Sequence, residues 1–332
     1  MTDYAKRRVL VTGATGYIGS RLVPELLERG FMVRVLTRNR SKVASRAWVD
    51  RVEIVEGDAT SKDALDKACN GVDIAYYLLH SMDGEGDFVE RDRELARRFG
   101  LAAQRAKIGR IIYLSGLHPE GELSDHLASR VEVGHLLMAS GVPTAVLQAA
   151  VIIGSGSASF EMLRHLTTRL PIMVTPKWLG NKIQPIGVAD VLDLLIAAVD
   201  LPPEVNRAFD IAGPDVLTYR EMIERFAERT GLRPRKIVTV PVLTPMLASH
   251  WVGLVTPVPT GLAKPLVGSL RHEVVAGEDD LGELTGRPRS TLAGFDEALG
   301  LAVTAQDSTR RPEAGSVHPA RLTAADLDWA GP

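Results

Sequence analysis

The chain has little cysteine, few aromatic residues and almost no net charge, and each shortage excludes a class of protein. Its 332 residues include a single cysteine, Cys69, so no internal disulfide can form, and a reducing compartment, by default the cytoplasm, is expected. The formal net charge is −2 and no basic-aromatic stripe occurs, so we expect no nucleic-acid partner. The eight histidines do not fall into metal-ligand spacings, so no metal is expected.

Charge is missing altogether from one long stretch, residues 237–263, which contain no Asp, Glu, Lys or Arg. The length suits a membrane span, but Pro241, Pro245, Pro257 and Pro259 argue against a continuous helix. We expect a buried cap that packs on its own domain. An apolar substrate surface is the alternative, and a membrane contact is possible but not favoured.

The most informative motif lies in the first 38 residues, where three glycines separate a strand signal from a helix signal. A tight turn, a close backbone approach and close helix–sheet packing each exclude a Cβ atom, and the helix N-terminus then offers N–H groups to a pyrophosphate. The alternative is a glycine-rich turn without a ligand. The motif predicts a dinucleotide-binding loop made of Gly13, Ala14, Thr15, Gly16, Tyr17, Ile18 and Gly19.

Strand and helix signals alternate through the first half of the chain, and an apolar strand begins by about Val9, which leaves no room for a signal peptide. Such alternation predicts an α/β fold, a Rossmann-type doubly wound parallel sheet that binds its ligand at the carboxyl ends of the strands. The strand signals are 8–12, 32–37, 52–56, 73–79, 109–115 and 143–149, and the helix signals are 17–29, 61–69, 88–106 and 126–139.

The alternation stops after about residue 155, so we expect a smaller, mostly C-terminal cap or substrate region. Residues 1–155 are expected to form the nucleotide-binding domain, with 181–213 returning to it. The cap would then consist of 156–180 and 214–302. The remaining residues, 303–332, are polar and are expected to form a loosely ordered tail.

The order of the motifs resembles the atypical short-chain dehydrogenase/reductases. TGATGYIG is followed by GDA after the third strand, YYLLHS after the fourth, YLSG after the fifth and LQAAVIIGSGS after the sixth. Longer strings, such as EVGHLLMASGVPTAVLQAAVIIGSGSASFEMLRHL and PIMVTPKWLGNKIQPIGVADV, are similar to the YbjT-like, NmrA-related NAD(P)H-binding proteins over about residues 7–300. Many such proteins continue into a second domain after a DPDWAG-like sequence. This chain has DLDWAGP at 326–332, so it resembles a version without that domain.

The resemblance implies cofactor contacts along the strand ends. Asp58 and Ala59 would flank the adenine, although a turn-forming Gly-Asp pair is the alternative for Asp58. The ribose region would be lined by Leu78, Leu79 and His80, and the nicotinamide wall would be formed by Ala149, Ala150, Val151 and Ile152.

The end of the second strand indicates which dinucleotide binds. NAD users place an acidic residue there, but this chain reads Leu-Thr-Arg-Asn-Arg from 36 to 40. Arg38 can form charge-assisted hydrogen bonds to a 2′-phosphate, so NADP(H) is expected in preference to NAD(H). The alternative for Arg38 is an ordinary exposed arginine.

Typical members of the superfamily use a serine after the fifth strand and a Tyr-x-x-x-Lys pair on the next helix. Ser115 holds the serine position, but His126 and Arg130 replace the tyrosine and lysine on one helical face. Imidazole can donate a proton and arginine can hold ribose or phosphate, although Arg130 would lower the pKa of His126. The alternatives are a solvated His126 and an Arg130 paired with Glu132 or Asp125.

Other polar side chains near these strand ends carry weaker signals. Tyr76 and Tyr77 are expected in the core. Tyr113 could replace the missing phenol, but strand alternation leaves its direction open. His80 and His118 are loop residues for which the sequence suggests no partner.

Two functions remain after these observations. The first is an NADP(H)-dependent oxidoreductase that transfers hydride to a small apolar carbonyl or quinone-like substrate, with Ser115, a bound water or His126 at the developing oxyanion. The second is a non-catalytic NAD(P)(H)-binding regulator, redox sensor or assembly scaffold of the NmrA kind, which the missing tyrosine and lysine favour. The oligomeric state is left open.

Overall fold

The structure is a computed structural model that describes residues 4–80, 88–118, 123–240, 255–269, 271–303 and 311–330. The strands are β1 (Arg8–Thr12), β2 (Met32–Thr37), β3 (Glu53–Glu56), β4 (Ile74–Tyr77), β5 (Arg110–Gly116), β6 (Thr144–Ala149), β7 (Ile152–Ile153), β8 (Ile172–Pro176), β9 (Lys182–Ile183), β10 (Ile186–Gly187), β11 (Arg207–Ile211), β12 (Leu217–Thr218) and β13 (Lys236–Val240). The helices are α1 (Tyr17–Glu28), α2 (Ser41–Ala44), α3 (Lys62–Cys69), α4 (Phe88–Arg105), α5 (Asp125–Met138), α6 (Ala158–Arg169), α7 (Val188–Ala197), α8 (Tyr219–Arg229), α9 (Thr260–Ser269), α10 (Asp280–Thr285) and α11 (Phe295–Val303).

Seven of the strands form one sheet in the order β11-β6-β5-β4-β1-β2-β3, and every pairing in it is parallel. In register, Val9 of β1 lies between Val33 of β2 and Ile74 of β4. The chain order reverses at β1, so the connections after β1 and β4 leave in opposite directions and open a crevice at the carboxyl ends. The predicted doubly wound α/β fold is therefore confirmed.

Helices cover both faces of this sheet, which explains why its strands are apolar at consecutive positions. Successive residues of a strand point to opposite faces. Val9 and Val11 of β1 belong to the core on the side of α1 and α7, whereas Leu10 belongs to the opposite core. That second core includes Tyr77 of β4 and Phe99 of α4, whose rings lie 4.9 Å apart.

A third core, here called the cap core after the region predicted from the sequence, consists mainly of residues from α6, α8, α9 and α11. Phe160 and Phe226 are fully buried there, with ring centroids 6.1 Å apart. The described chain also contains three two-stranded sheets, β7–β10, β8–β13 and β9–β12. Ala150 and Val151, which follow β6, pack against this core, so the end of the main sheet meets the cap.

Residues 311–330 correct the expectation of a loosely ordered tail, because they pack against the start of α1. Arg21 of α1 forms two 2.7 Å bonds to Asp326, and both side chains are only 1% exposed. The same guanidinium donates to the backbone carbonyls of Pro319, Ser155 and Arg321. The prediction assumed that the polar groups of this segment bind water. In the structure, the carbonyl oxygens of Pro319 and Arg321 and the Asp326 carboxylate accept hydrogen bonds from the buried Arg21 instead.

The uncharged segment 237–263 is described only in part. Residues 241–254 lie outside the described residues, so the cap expected there stays a prediction. Beyond them, Val258 and Ala263 are buried in the cap core. Within the described ranges, no helix combines the length and apolarity that crossing a membrane requires.

Candidate functional site

The glycine loop after β1 has no space for side chains at two positions. Gly13 has φ +73, and a Cβ atom there would lie 2.5 Å from the carbonyl oxygen of Leu78 at the end of β4. A Cβ atom on Gly19 would collide with the carbonyl oxygen of Gly13. Both contacts are with backbone, which cannot move aside cheaply, so the loop requires glycine at these positions.

The loop leads into an uncapped helix. Gly16, the residue before α1, is extended, and its N–H donates to the Gly13 carbonyl at 3.0 Å. Among the described residues no side chain caps this helix, and its first turn contains no acidic residue. The free N–H groups and the positive end of the helix dipole therefore suit a pyrophosphate, and the site fits a dinucleotide.

The Thr12 side chain links the ends of β1 and β4, which flank this crevice. Its hydroxyl donates to the carbonyl of Tyr76 at 3.0 Å and accepts from the Leu78 N–H at 3.2 Å. The bonds join the carboxyl ends of β1 and β4 next to the glycine loop. Tyr76 and Tyr77 are buried, which confirms that they are core residues.

The ends of β2 and β3 carry both exposed arginines and carboxylates. Arg38 and Arg40 are exposed, and the backbone N–H of Arg40 donates to the Glu56 carboxylate at 3.2 Å. Asp58 accepts from the backbone N–H of Thr60 at 2.8 Å and from its hydroxyl at 2.7 Å. These bonds, and to a lesser extent Arg38, lower the pKa of Asp58. The turn-forming role considered for Asp58 is present, and its adenine contact stays a prediction, as does that of Ala59, which is buried.

Ser115 and Tyr113 lie two residues apart on β5, and their side chains share one face of the sheet. Both hydroxyls donate to the backbone carbonyl of Arg130 on α5, at 3.4 Å and 3.3 Å respectively. Ser115 is only 3% exposed. The direction of Tyr113, which alternation left open, is thus toward α5.

The hydrogen bonds of Arg130 differ from one of the alternatives predicted for it. Its Nη2 donates to the carbonyl of Leu114 at 2.6 Å, and its buried Nε has no partner among the described residues. The alternative pairing with Glu132 is not formed in the described part of the chain, where Glu132 accepts two bonds from Arg93 of α4, at 2.6 Å and 3.1 Å. Arg130 therefore ties α5 to β5.

His126 lies in the first turn of α5, one turn before Arg130. Burial, together with smaller contributions from the charges of Arg130 and His80, lowers the pKa of His126 to about 3, while Asp92 opposes the shift. The direction agrees with the effect expected from Arg130. At neutral pH the His126 imidazole is therefore uncharged. Its single N–H can donate one hydrogen bond, but the ring lacks the additional proton that an imidazolium could transfer as an acid.

A buried polar cluster that sequence reasoning missed is centred on Asp92 of α4, which is 5% exposed. Its Oδ2 lies 3.6 Å from Nδ1 of His80 and accepts a bond from Ser129 Oγ at 3.4 Å. The His80 and His126 rings are 4.9 Å apart. A signal was present in the sequence, because Asp92 stands four residues after Phe88 on the apolar face of the predicted helix.

The remaining predicted residues also lie near this edge of the sheet. Leu78, Leu79 and His80 directly follow β4 and are partly buried. Ala149 ends β6, and its carbonyl accepts a bond from the N–H of Leu117 at 2.9 Å. The carbonyl of Val151 accepts from the N–H of Ile186 at 2.9 Å. The fold therefore places these residues at the carboxyl ends of β4, β5 and β6, while their contacts to a cofactor stay predictions.

The family follows from comparison with known proteins. Residues 5–252 match the NmrA-like family. This chain belongs to the NmrA-like family. The resemblance to NmrA-related, atypical short-chain dehydrogenase/reductases is thus confirmed.

Relatives of this family member include reductases. A ceramide reductase of Caulobacter vibrioides is 29% identical over 80% of this chain and 84% of its own length. A (4-alkanoyl-5-oxo-2,5-dihydrofuran-3-yl)methyl phosphate reductase of Streptomyces griseus is 26% identical over 84% and 93%. An NADPH-dependent quinone oxidoreductase from Escherichia coli, solved with NADPH, shares the fold with a TM-score of 0.67 and 20% identity over 88% and 98%. Together they support an NAD(P)H-dependent oxidoreductase in general.

Proposed function

We propose that this chain is an NADP(H)-dependent oxidoreductase that reduces a small apolar carbonyl or quinone-like compound. The observation that carries the proposal is the glycine loop, in which Gly13 and Gly19 exclude any Cβ atom beneath the uncapped start of α1. The amides around Ala14 to Ile18 would hold the pyrophosphate. When bound, the nicotinamide supplies the hydride, and the protein must position the substrate and deliver a proton.

The preference for NADP(H) rests on the end of β2. No carboxylate occupies residues 37–41, and the guanidinium groups of Arg38 and Arg40 are exposed there. A 2′-phosphate would gain charge-assisted bonds from them. Glu56 belongs to β3 and is engaged by the backbone of Arg40, so it does not replace the acidic residue that NAD users place after β2.

The apolar substrate is supported by the cap. Ala150 and Val151, expected beside the nicotinamide, pack against the cap core, so apolar side chains border the reacting end of the crevice. One relative points the same way, since ceramide is a lipid. In this arrangement the hydroxyl of Ser115 and the neutral ring of His126 would donate hydrogen bonds to the developing oxyanion, and Arg130 would hold α5 against β5.

One observation favours a second function, a regulator that binds the cofactor without turnover. His126 is uncharged at neutral pH, and Arg130 is engaged with the carbonyl of Leu114. Neither side chain reproduces the proton donor and lysine of the Tyr-x-x-x-Lys pair. If no other group delivers a proton, binding without reduction follows.

Calorimetry followed by an oxidation assay separates the two functions. NADPH and NADH are titrated into the protein, and NADPH oxidation is then followed near ~340 nm with quinones, enones and aldehydes. We expect tight NADPH binding, oxidation with apolar acceptors, and a loss of about 10- to 1,000-fold in kcat for Ser115→Ala. The exposed Ser45→Ala variant is the control and should be unchanged. Tight binding without oxidation would favour the regulator, and no binding at millimolar concentration would refute both functions.

A further inference from the structure

The small sheet formed by β8 and β13 carries a cluster of exposed apolar side chains. The two strands pair in parallel, with Val174 opposite Val238 and Ile172 opposite Lys236. The exposed fraction is 58% for Ile172, 48% for Val174 and 40% for Val238. Neighbouring apolar side chains that are exposed together, unlike single ones, mark an interaction surface.

The opposite face of the same sheet explains why these side chains point outward. Successive residues of a strand alternate between the two faces. Met173 is buried in the cap core, and Ile237 packs against that core. A rotation of β8 that hid Ile172 and Val174 would bring Met173 into water. The exposure of the outer residues is therefore fixed by the packing of the inner ones.

The two stretches of chain that contain these strands have no acidic residue. Residues 162–189 include four Lys or Arg residues, residues 229–272 include six, and neither stretch has an Asp or Glu. The whole chain, by contrast, has a formal net charge of −2. Positive charge is thus concentrated in the stretches that display the apolar face.

Four of these basic residues stand close to the strand ends. Lys236 begins β13 and Arg233 precedes it by three residues, while Arg169 ends α6 shortly before β8 and Lys177 follows β8 directly. All four residues are exposed. Arg169 donates to the carbonyl of Val255 at 2.6 Å, a bond that leaves its charge in place. In the ranges that the structure describes, no carboxylate forms an ion pair with any of the four.

We propose that this face, the β8–β13 surface, binds an anionic phospholipid bilayer as a peripheral contact. Ile172, Val174 and Val238 enter the interfacial layer, and the basic residues around them contact lipid phosphates. Apolar burial and electrostatic attraction add together, and no segment has to cross the membrane. A nucleic acid would use the positive charge but not the aliphatic side chains. A second copy of the chain, packed through the same face, would bring like charges together.

Vesicle sedimentation of the full chain without cofactor tests the contact. We expect binding to phosphatidylcholine vesicles that contain about 30% phosphatidylglycerol, and binding at least about 10-fold weaker to phosphatidylcholine alone. Binding to the anionic vesicles should weaken in about 1 M NaCl, where the Debye length falls to about 3 Å. No binding to anionic vesicles, or equal binding to the two compositions, would overturn the proposal.

Two substitutions examine the apolar and the charged part of the surface separately. Val174→Asp should weaken binding to the anionic vesicles by at least about 10-fold, and Lys236→Glu by about 5- to 30-fold. The matched controls are Leu101→Asp on α4 and Lys67→Glu on α3, both at exposed positions, and they should bind like the wild type. Ile172→Ser is the second variant if Val174→Asp fails to fold. Unchanged binding in both surface variants would overturn the proposal.

The other occupants are outcomes of the same set of measurements. In sedimentation velocity, a concentration-dependent dimer that Val174→Asp abolishes would assign the surface to a second copy of the chain and refute the membrane contact. Tighter binding to a short DNA duplex than to the anionic vesicles, lost in Lys236→Glu, would assign it to nucleic acid instead. None of these measurements uses NADPH, so the proposed oxidoreductase and the membrane contact can each fail without the other.

Discussion

Arg21 and Asp326 form a two-bonded ion pair that joins positions 305 residues apart, with both N–O distances 2.7 Å and both side chains 1% exposed. The carboxylate also accepts from the backbone and hydroxyl of Thr323. The guanidinium lies 4.0 Å from the ring centroid of Tyr17, the first residue of α1. The segment 311–330 is thereby fastened to the helix that we assign to the pyrophosphate.

Breaking this pair should be costly. Asp326→Asn leaves Arg21 charged and buried without its counter-ion, so we expect a loss of about 3–5 kcal/mol in the free energy of unfolding. Urea denaturation measures it. Glu28→Gln removes the exposed partner of Arg51 and should cost less than about 1 kcal/mol. Equal losses for the two variants would show that burial adds nothing.

Gly13→Ala should weaken NADPH binding without unfolding the sheet. The new Cβ atom meets the carbonyl of Leu78, and a positive φ costs a non-glycine residue about 1–3 kcal/mol. We expect affinity to fall by more than about 10-fold, which corresponds to 1.4 kcal/mol, in calorimetry. Gly180→Ala, where the added atom meets nothing within 4 Å, is the control. Unchanged affinity in Gly13→Ala would remove the loop from the binding site.

Arg38→Glu should change the cofactor preference. A lost charge-assisted bond to a 2′-phosphate is worth about 1.5–3 kcal/mol, so the Kd for NADPH should rise roughly 10- to 100-fold. The Kd for NADH, which lacks that phosphate, should change little. Arg97→Glu, on the exposed face of α4, makes the same charge change away from the crevice. Parallel weakening of both nucleotides would argue against an Arg38–phosphate contact.

The pKa of His126 predicts how stability depends on pH. The folded-state pKa is about 3, below the ordinary value of 6.5, so between these values the unfolded chain binds more protons. The stabilisation is complete above about pH 6.5 and is lost as the pH falls toward 3. His165, with a pKa of about 4, contributes in the same direction. Urea denaturation between pH 7 and pH 4.5 measures the free energy of unfolding at each pH. This free energy should fall less steeply with decreasing pH in His126→Gln than in the wild type, and the difference in slope corresponds to up to about one bound proton. An identical slope in the two proteins would contradict the assignment.

The sequence predicts those parts of the molecule that depend on local periodicity. The strand signal at 32–37 and the helix signal at 61–69 match β2 and α3 within one residue, because burial on a covered parallel sheet leaves a strong apolar pattern. The glycine loop is predictable for the same local reason, since its constraint arises within a few residues and one neighbouring strand end.

Side-chain partners were harder to predict because they depend on how elements are oriented. Arg130 bonds to the Leu114 carbonyl rather than to Glu132, although Glu132 is nearer in sequence. Asp92 of α4 lies beside His80, in the segment that follows β4, and nothing in the local sequence indicates that contact. Polar residues on an apolar face signal that a partner exists, but they do not identify it.

The bond between Arg21 and Asp326 also dictates an order of events during synthesis on the ribosome. The first βα unit emerges early, yet its arginine must wait, hydrated or transiently paired, until more than three hundred further residues have been translated and Asp326 has left the exit tunnel. Until then α1 lacks the buried partner of Arg21, and the contact between α1 and residues 311–330 can form only after translation has passed Asp326.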